Sequence, residues 1–138
     1  MKKTLKSTAL IILSIVFILC LASCNDTAID KTGLWESATY TKDATVGGGS
    51  KEVKIDILAG DQTVTLTVKT DKSTLGEALY EQGLINDPSF FDTLNGIKAD
   101  WNKDQVYWKF CKGDETMMVG VNDIEISGGE HYKFVYSK

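Results

Sequence analysis

The chain has 138 residues, with fifteen basic and nineteen acidic residues and a formal net charge of −4. An acidic balance disfavours binding to nucleic acids and to anionic lipid headgroups, because both present phosphates that repel it. Every basic residue is a lysine, so there is no arginine fork to hold a carboxylate or phosphate in two hydrogen bonds.

The N-terminus has the pattern of an export signal. Three lysines within the first six residues precede the apolar run from Ala9 to Ala22, which is too short to span a bilayer comfortably. The run closes on Leu-Ala-Ser-Cys, which resembles a bacterial lipobox. The alternative is an ordinary signal peptide followed by a chance cysteine. We predict a lipoprotein signal peptide over 1–23 and a lipid on Cys24, which would hold the chain at the cell membrane, facing outside the cytoplasm.

Removal of this signal would change both the charge and the cysteine content. Three of the fifteen lysines would leave, so twelve would remain against nineteen acids, a formal charge of −7. Cys20 would be lost and Cys24 lipidated, so Cys111 has no partner and we predict no disulfide. Residues 24–34 are polar and small, which indicates a flexible tether, and 35–138 suffice for a single domain.

The first half of this domain predicts strands. The segment from Trp35 to Thr41 has the composition of an edge strand, and the glycine-rich residues 46–50 indicate a loop. Residues 51–58 and 63–68 alternate polar and apolar side chains around Gly60-Asp61, which predicts a hairpin. The alternation places six apolar side chains on its core face: Val53, Ile55, Ile57, Val64, Leu66 and Val68.

A helix should follow the hairpin. Thr74 and Glu77 have the spacing of a capping box at its start. Gly83 is placed to end it in the left-handed conformation, with Leu84 as the apolar contact just beyond. We therefore predict a helix over 75–82 that lies across the sheet.

The stretch from Phe90 to Val121 returns to strand patterns. The Asn95-Gly96 pair indicates a tight turn, and Val106 to Cys111 alternates as a strand. A second glycine turn then leads into a strand over 116–119. The alternation of 131–136 predicts a last strand, paired inside the sheet.

Four motifs occur in an order and spacing that resemble a known family: Asn95-Gly96-Ile97, Tyr107-Trp108-Lys109-Phe110, Gly120-Val121 and the run from Gly129 to Tyr136. The likeness covers about Val53 to Tyr136 and is to the transcobalamin-like C-terminal domain, which is found in short bacterial lipoproteins and at the end of vertebrate cobalamin carriers. It implies an α+β fold, a β-grasp-like mixed sheet of short strands and hairpins with one helix packed across it. It also implies a domain that binds rather than catalyses.

Two adjacent pairs, Phe90-Phe91 and Met117-Met118, are the best binding candidates. Neighbours in a strand face opposite sides, so one member of each pair should be exposed or lie in a groove. We take Met118 and Phe91 as the outward members. By the resemblance, the phenylalanines align with ligand-contacting positions of the carriers. The predicted ligand-binding set is Phe90, Phe91, Tyr107, Trp108, Met117 and Met118. The alternative is a slightly apolar surface with no ligand.

Two further sequence features are weak candidates for metal binding or catalysis. Residues 100–104 have the Asp-x-Asn-x-Asp spacing that opens a calcium loop, but Gln105 and Cys111 stand where glycine and glutamate are needed. Cys111 and His131 could form a thiolate and imidazole pair, but no glycine-rich elbow accompanies them. We predict no catalytic residue, no metal and no cofactor, and hence not an enzyme.

Two functions remain open. The first is a membrane-anchored extracytoplasmic lipoprotein that acts as a non-catalytic binding module for a small molecule, such as a corrinoid or another flat, partly apolar compound. The alternative is a cell-surface adhesion or protein-interaction module. A ligand module predicts a groove near Phe90, Trp108 and Met117, whereas an adhesion module predicts a flat surface or an unpaired edge strand. The partners are thus the membrane, through the lipid on Cys24, and a small molecule or a surface protein. The protein should be a monomer.

Overall fold

The computed structural model of the protein describes residues 27–138. The predicted signal peptide and Cys24 lie outside this range. Within it, no helix has both the length and the apolar composition that crossing a membrane requires.

The described chain forms a mixed sheet of six strands, a separate two-stranded ribbon and two helices. Its elements in chain order are β1 (Ala44–Gly47), β2 (Lys51–Ala59), β3 (Gln62–Thr70), α1 (Leu75–Glu81), β4 (Thr93–Leu94), β5 (Ile97–Lys98), α2 (Trp101–Asp104), β6 (Tyr107–Lys112), β7 (Glu115–Thr116) and β8 (His131–Ser137). The large sheet has the strand order β1-β3-β2-β8-β6-β7, and β4 pairs with β5. The predicted α+β mixed-sheet fold is confirmed.

The β2–β3 hairpin matches the sequence pattern. Val53 pairs with Val68, Ile55 with Leu66 and Ile57 with Val64 in antiparallel register, and all six side chains are fully buried. Gly60 has a φ of 64°, which a tight turn between the strands requires.

The last strand, β8, lies in the middle of the sheet. It runs parallel to β2 and antiparallel to β6, so it joins the hairpin to the second half of the domain. Tyr132 and Phe134 are its core residues and are almost completely buried. The prediction that this strand pairs inside the sheet is confirmed.

Helix α1 has the predicted Thr74 cap at its start, of which the hydroxyl half is formed, and it ends at Glu81, one residue before the predicted end. The Thr74 hydroxyl accepts the Glu77 amide at 3.3 Å. At the other end Gly83 has a φ of 68° and donates to the Tyr80 carbonyl, while Leu84 donates to Leu79 at 2.9 Å. These two bonds form a Schellman motif, and the buried Leu84 supplies its apolar contact.

The N-terminal segment differs from the prediction. Trp35 to Thr41 is not an edge strand: a 3₁₀ turn spans Gly33–Trp35, and the first strand is β1, parallel to β3. Two long-range hydrogen bonds explain the difference. The buried Asn95 side chain accepts from the Tyr40 amide at 2.8 Å and donates to the Tyr40 carbonyl at 2.9 Å, so it takes the place of a neighbouring strand. A Cβ at Gly96 would collide with the Ser37 carbonyl, so the turn must carry glycine.

The core lies on one face of the sheet, which α1 covers, and the 3₁₀ turn Val121–Asp123 packs against α1. Trp35 closes one end of the core, and its indole donates to the Ala59 carbonyl at 3.1 Å. No buried side-chain nitrogen or oxygen in the described residues lacks a hydrogen-bond partner. Residues 27–138 thus contain a complete core with satisfied side-chain polar atoms, and we expect this range to fold by itself.

Gly83→Val should destabilise the domain by about 1–3 kcal/mol, because a β-branched residue is strained at a φ of 68°. Chemical denaturation of residues 27–138 measures this change. Gly48→Val is the matched control, since a Cβ at either glycine meets open space but Gly48 has no positive φ. Equal stability of the two variants would show that the left-handed cap contributes nothing.

Candidate functional site

A groove of about 500 Å³ lies along the edge of β6. One wall is the loop around Phe90 and the other is the segment from Met117 to Val121, and we call this concavity the groove. It brings together all six predicted ligand-binding residues: Phe90, Phe91, Tyr107, Trp108, Met117 and Met118. Its lining is mainly apolar, as in sites that take drug-sized molecules.

The groove exists because one edge of β6 is largely unpaired. Strand β7 is two residues long and pairs only with Cys111 and Lys112, so the Tyr107 half of β6 has no neighbouring strand on that side among the described residues. Since the groove lies beyond this edge, inward and outward residues of β6 both line it. Tyr107 is partly exposed and packs edge-on against Trp101 of α2, with ring centroids 6.3 Å apart.

An aromatic layer supports the floor of the groove. The Trp108 indole is held by a hydrogen bond of 3.2 Å to the Ile97 carbonyl. Phe110 stacks on Phe134 with centroids 5.0 Å apart, and Phe91 meets the same ring edge-on at 5.9 Å. These contacts fix the floor before any ligand arrives, which lowers the entropy cost of binding.

The Phe90 wall is a loop that is held by its own side chains. The Asp87 carboxylate accepts the amides of Ser89 at 2.7 Å and Phe90 at 3.2 Å. The side-chain oxygen Oδ1 of Asn86 accepts hydrogen bonds from the backbone amides of Asp92 and Thr93. The loop therefore presents Phe90 with 85% of its surface exposed.

The opposite wall follows β7. The strand ends at Thr116 and not at Val119 as predicted, although the Met117 amide still donates to the Phe110 carbonyl at 2.8 Å. Met117 packs against the core, and Met118 is 92% exposed. Val121 is buried and anchors the end of this wall.

Each adjacent pair thus has one inner and one outer member. Met118 is outward as predicted, but the choice of Phe91 was wrong: Phe90 is outward and Phe91 is packed against Phe134. Both phenylalanines lie in a loop, where the alternation of a strand does not apply, so the sequence pattern could not indicate which of them faces outward.

Gly76 of α1 positions both walls, and the sequence analysis missed it. A Cβ at this glycine would lie 3.0 Å from the Pro88 carbonyl oxygen and 3.1 Å from the Asn122 backbone. Pro88 precedes Phe90, and Asn122 follows the other wall. A glycine inside a helix is the one sequence signal that could have indicated this close approach.

The Tyr136 phenol lies behind the floor, where its ring meets Trp108 edge-on at 5.5 Å. Burial raises the pKa of Tyr136, and the carboxylates of Asp104 and Asp100 raise it further. The phenol therefore stays protonated and uncharged at neutral pH, and it can both donate and accept a hydrogen bond.

The weaker sequence candidates do not join the groove. Asp100 caps α2 by accepting the Lys103 amide at 3.1 Å. Cys111 is buried in β6, and the His131 imidazole lies 2.9 Å from the Asp56 carboxylate. Among residues 27–138, no three His, Cys, Asp or Glu side chains are grouped so as to hold a metal ion.

Comparison with known proteins shows that this chain is similar in fold to a solved structure. No protein-family model and no curated protein matches the chain. A proposed metal-binding protein of Ruminococcus gnavus superposes with a TM-score of 0.59 at 23% identity, over 64% of this chain and 98% of that one. Haptocorrin in complex with Cbi superposes with a TM-score of 0.47 at 19% identity, over 64% of this chain and 25% of that one. The first likeness shows a shared fold, and membership of the transcobalamin-like family stays a prediction.

Gly76→Ala should fail to give the gain of about 1 kcal/mol that this change gives in an unhindered helix, because the new methyl group presses on both walls. Urea denaturation measures the stability, and ¹³C NMR of the Met117 and Met118 methyl groups reports the wall. Glu77→Ala, at an exposed position of the same helix, is the control that should leave the methyl signals in place. A full gain in stability with unmoved signals would contradict the positioning role.

Proposed function

We propose that the protein is an extracytoplasmic, non-catalytic binding module for a small, flat and partly apolar molecule, such as a corrinoid or another tetrapyrrole. The proposal rests on the groove, because all six residues that the sequence predicts to bind a ligand line it. A flat or scattered arrangement of the same residues would not favour a small ligand.

The shape and chemistry of the groove suit such a molecule. Its volume of about 500 Å³ is within the range of small-molecule sites, and aromatic rings and methionines form its walls. Flat rings bury well against aromatic faces, and the thioether of methionine adapts to irregular outlines. The Phe90 and Met118 side chains are exposed at the rim, so both can move to contact a ligand without losing core contacts.

A non-catalytic role is part of the proposal. Among residues 27–138, neither a histidine nor a cysteine lines the groove. Cys111 is enclosed in the sheet and His131 is engaged by Asp56, so the one sequence candidate for nucleophilic catalysis is used structurally.

The alternative of a protein-interaction module has one observation in its favour. The carbonyl of Phe110 points toward β7, where it accepts from Met117. Because backbone groups alternate along a strand, those of Trp108 point the same way, to the open edge. An extended peptide could pair there as an added strand. The apolar walls on both sides of this edge favour a small-molecule site over a peptide-binding site.

A thermal-shift screen of residues 27–138 against corrinoids and other tetrapyrroles tests the proposal. A ligand present at one hundred times its Kd should stabilise the domain by about 2.7 kcal/mol, which is several degrees of melting temperature. No stabilisation by any flat apolar compound would overturn it in favour of the peptide-binding alternative.

Alanine substitutions separate binding from folding. Phe90→Ala and Met118→Ala should change the stability by less than about 1 kcal/mol, because both side chains are exposed. Each should weaken binding of a compound found in the screen by roughly tenfold or more. Phe91→Ala and Met117→Ala are the matched inner controls, which should cost on the order of 2 kcal/mol or more of stability. Unchanged affinity in both outer variants would place the ligand elsewhere.

We further propose that the module is tethered to the membrane through a lipid on Cys24. This part of the proposal rests on the lipobox-like sequence before that residue. Cys24→Ala should abolish incorporation of labelled palmitate and leave the signal peptide uncleaved, as gel mobility and mass spectrometry would show. Palmitate on the variant would disprove lipidation at this site.

A further inference from the structure

The groove differs in charge from the chain as a whole. The sequence has nineteen acidic residues against fifteen lysines. Among the described residues, no Asp or Glu lines the groove, whereas Lys109 does. The described residues that line the groove thus include one lysine and no carboxylate.

Lys109 lies in the middle of β6, between the two core residues Trp108 and Phe110. Its partner in register on β8 is Val135, so no acidic side chain faces it across the strand pair. The ion pairs among residues 27–138 are Lys72 with Glu81, Lys98 with Asp92, and His131 with Asp56, and none includes Lys109. Within this range the Lys109 ammonium thus has no ion-pair partner.

The apolar surroundings make this charge selective. A ligand that covers Lys109 with rings alone removes water from the ammonium and returns no partner, which costs free energy. A ligand with an anionic group at that point replaces the lost water with an ion pair, which is screened less beside apolar walls than on an open surface.

We propose that the groove selects flat apolar compounds that carry an anionic substituent, such as a carboxylate, sulfonate or phosphate, and that Lys109 pairs with this substituent. The inference rests on the proposed function and adds the charge class of the ligand. An uncharged compound of the same ring shape binds at the same place but more weakly.

Two fluorescent probes that share their rings test the charge preference on residues 27–138. N-phenyl-1-naphthylamine is neutral, and 1-anilinonaphthalene-8-sulfonate adds one sulfonate. The anionic probe should bind more tightly, and Lys109→Met should reduce its affinity roughly tenfold while it leaves the neutral probe unchanged. Added salt should weaken only the anionic probe.

Two variants serve as controls. Lys109→Arg keeps the charge and should keep most of the preference. Lys42→Met removes the same charge from an exposed lysine outside the groove and should change neither affinity.

The outcomes are distinguishable. If both probes bind and Lys109→Met leaves their affinity ratio as in the wild type, the role of Lys109 is overturned and the binding groove stands. If Lys42→Met lowers the ratio as much as Lys109→Met, net charge rather than position sets the preference, and the inference fails. If neither probe binds the wild type, this inference fails, whereas the proposed function is decided separately by the thermal-shift screen.

Discussion

The insertion of β8 between β2 and β6 is the constraint on which the structure depends. The hairpin of β2 and β3 buries one row of side chains, but β6 reaches the sheet only through β8. Phe134 fills the centre of this join: it lies beside Ile57 in the parallel register and stacks on Phe110 from the antiparallel side. Because β8 follows the other strands in the chain but lies between β2 and β6, the large sheet cannot be completed before β8 has been synthesised. Such long-range pairing also implies slow folding.

The same arrangement creates the groove. Strand β8 pairs with one edge of β6, and the two-residue β7 leaves most of the other edge unpaired in the part of the chain that the structure describes. An open edge is a risk for aggregation, which proteins reduce by covering it or twisting it away. Here two loops flank the edge, and the backbone of each, at Pro88 and at Asn122, closely approaches α1 at Gly76, so the helix that covers the core also contacts both walls of the groove. Fold and site therefore share their supporting contacts.

Much of the fold could be predicted from local patterns. Alternation in β2 and β3, the Thr74 cap and the Gly83 stop each depend on neighbours within a few residues, and the structure confirms them. The segment from Trp35 to Thr41 could not be predicted in this way. Its composition suits a strand, but Asn95, 55 positions beyond Tyr40, bonds to its backbone and replaces a strand partner. Propensity gave the wrong element because a distant side chain competes for the backbone groups.

For the candidate site, the sequence by itself determined which side chains are too apolar to be ordinary surface: the adjacent phenylalanines, the adjacent methionines, and Tyr107 with Trp108. Only the tertiary structure decided that they meet in one groove, because the loop and the two strand edges that carry them are joined through β8 and α1. It also decided that Phe90 and not Phe91 is outward, since a loop has no fixed alternation. The placement of Lys109 in the groove likewise follows from the open edge of β6, which no local pattern encodes.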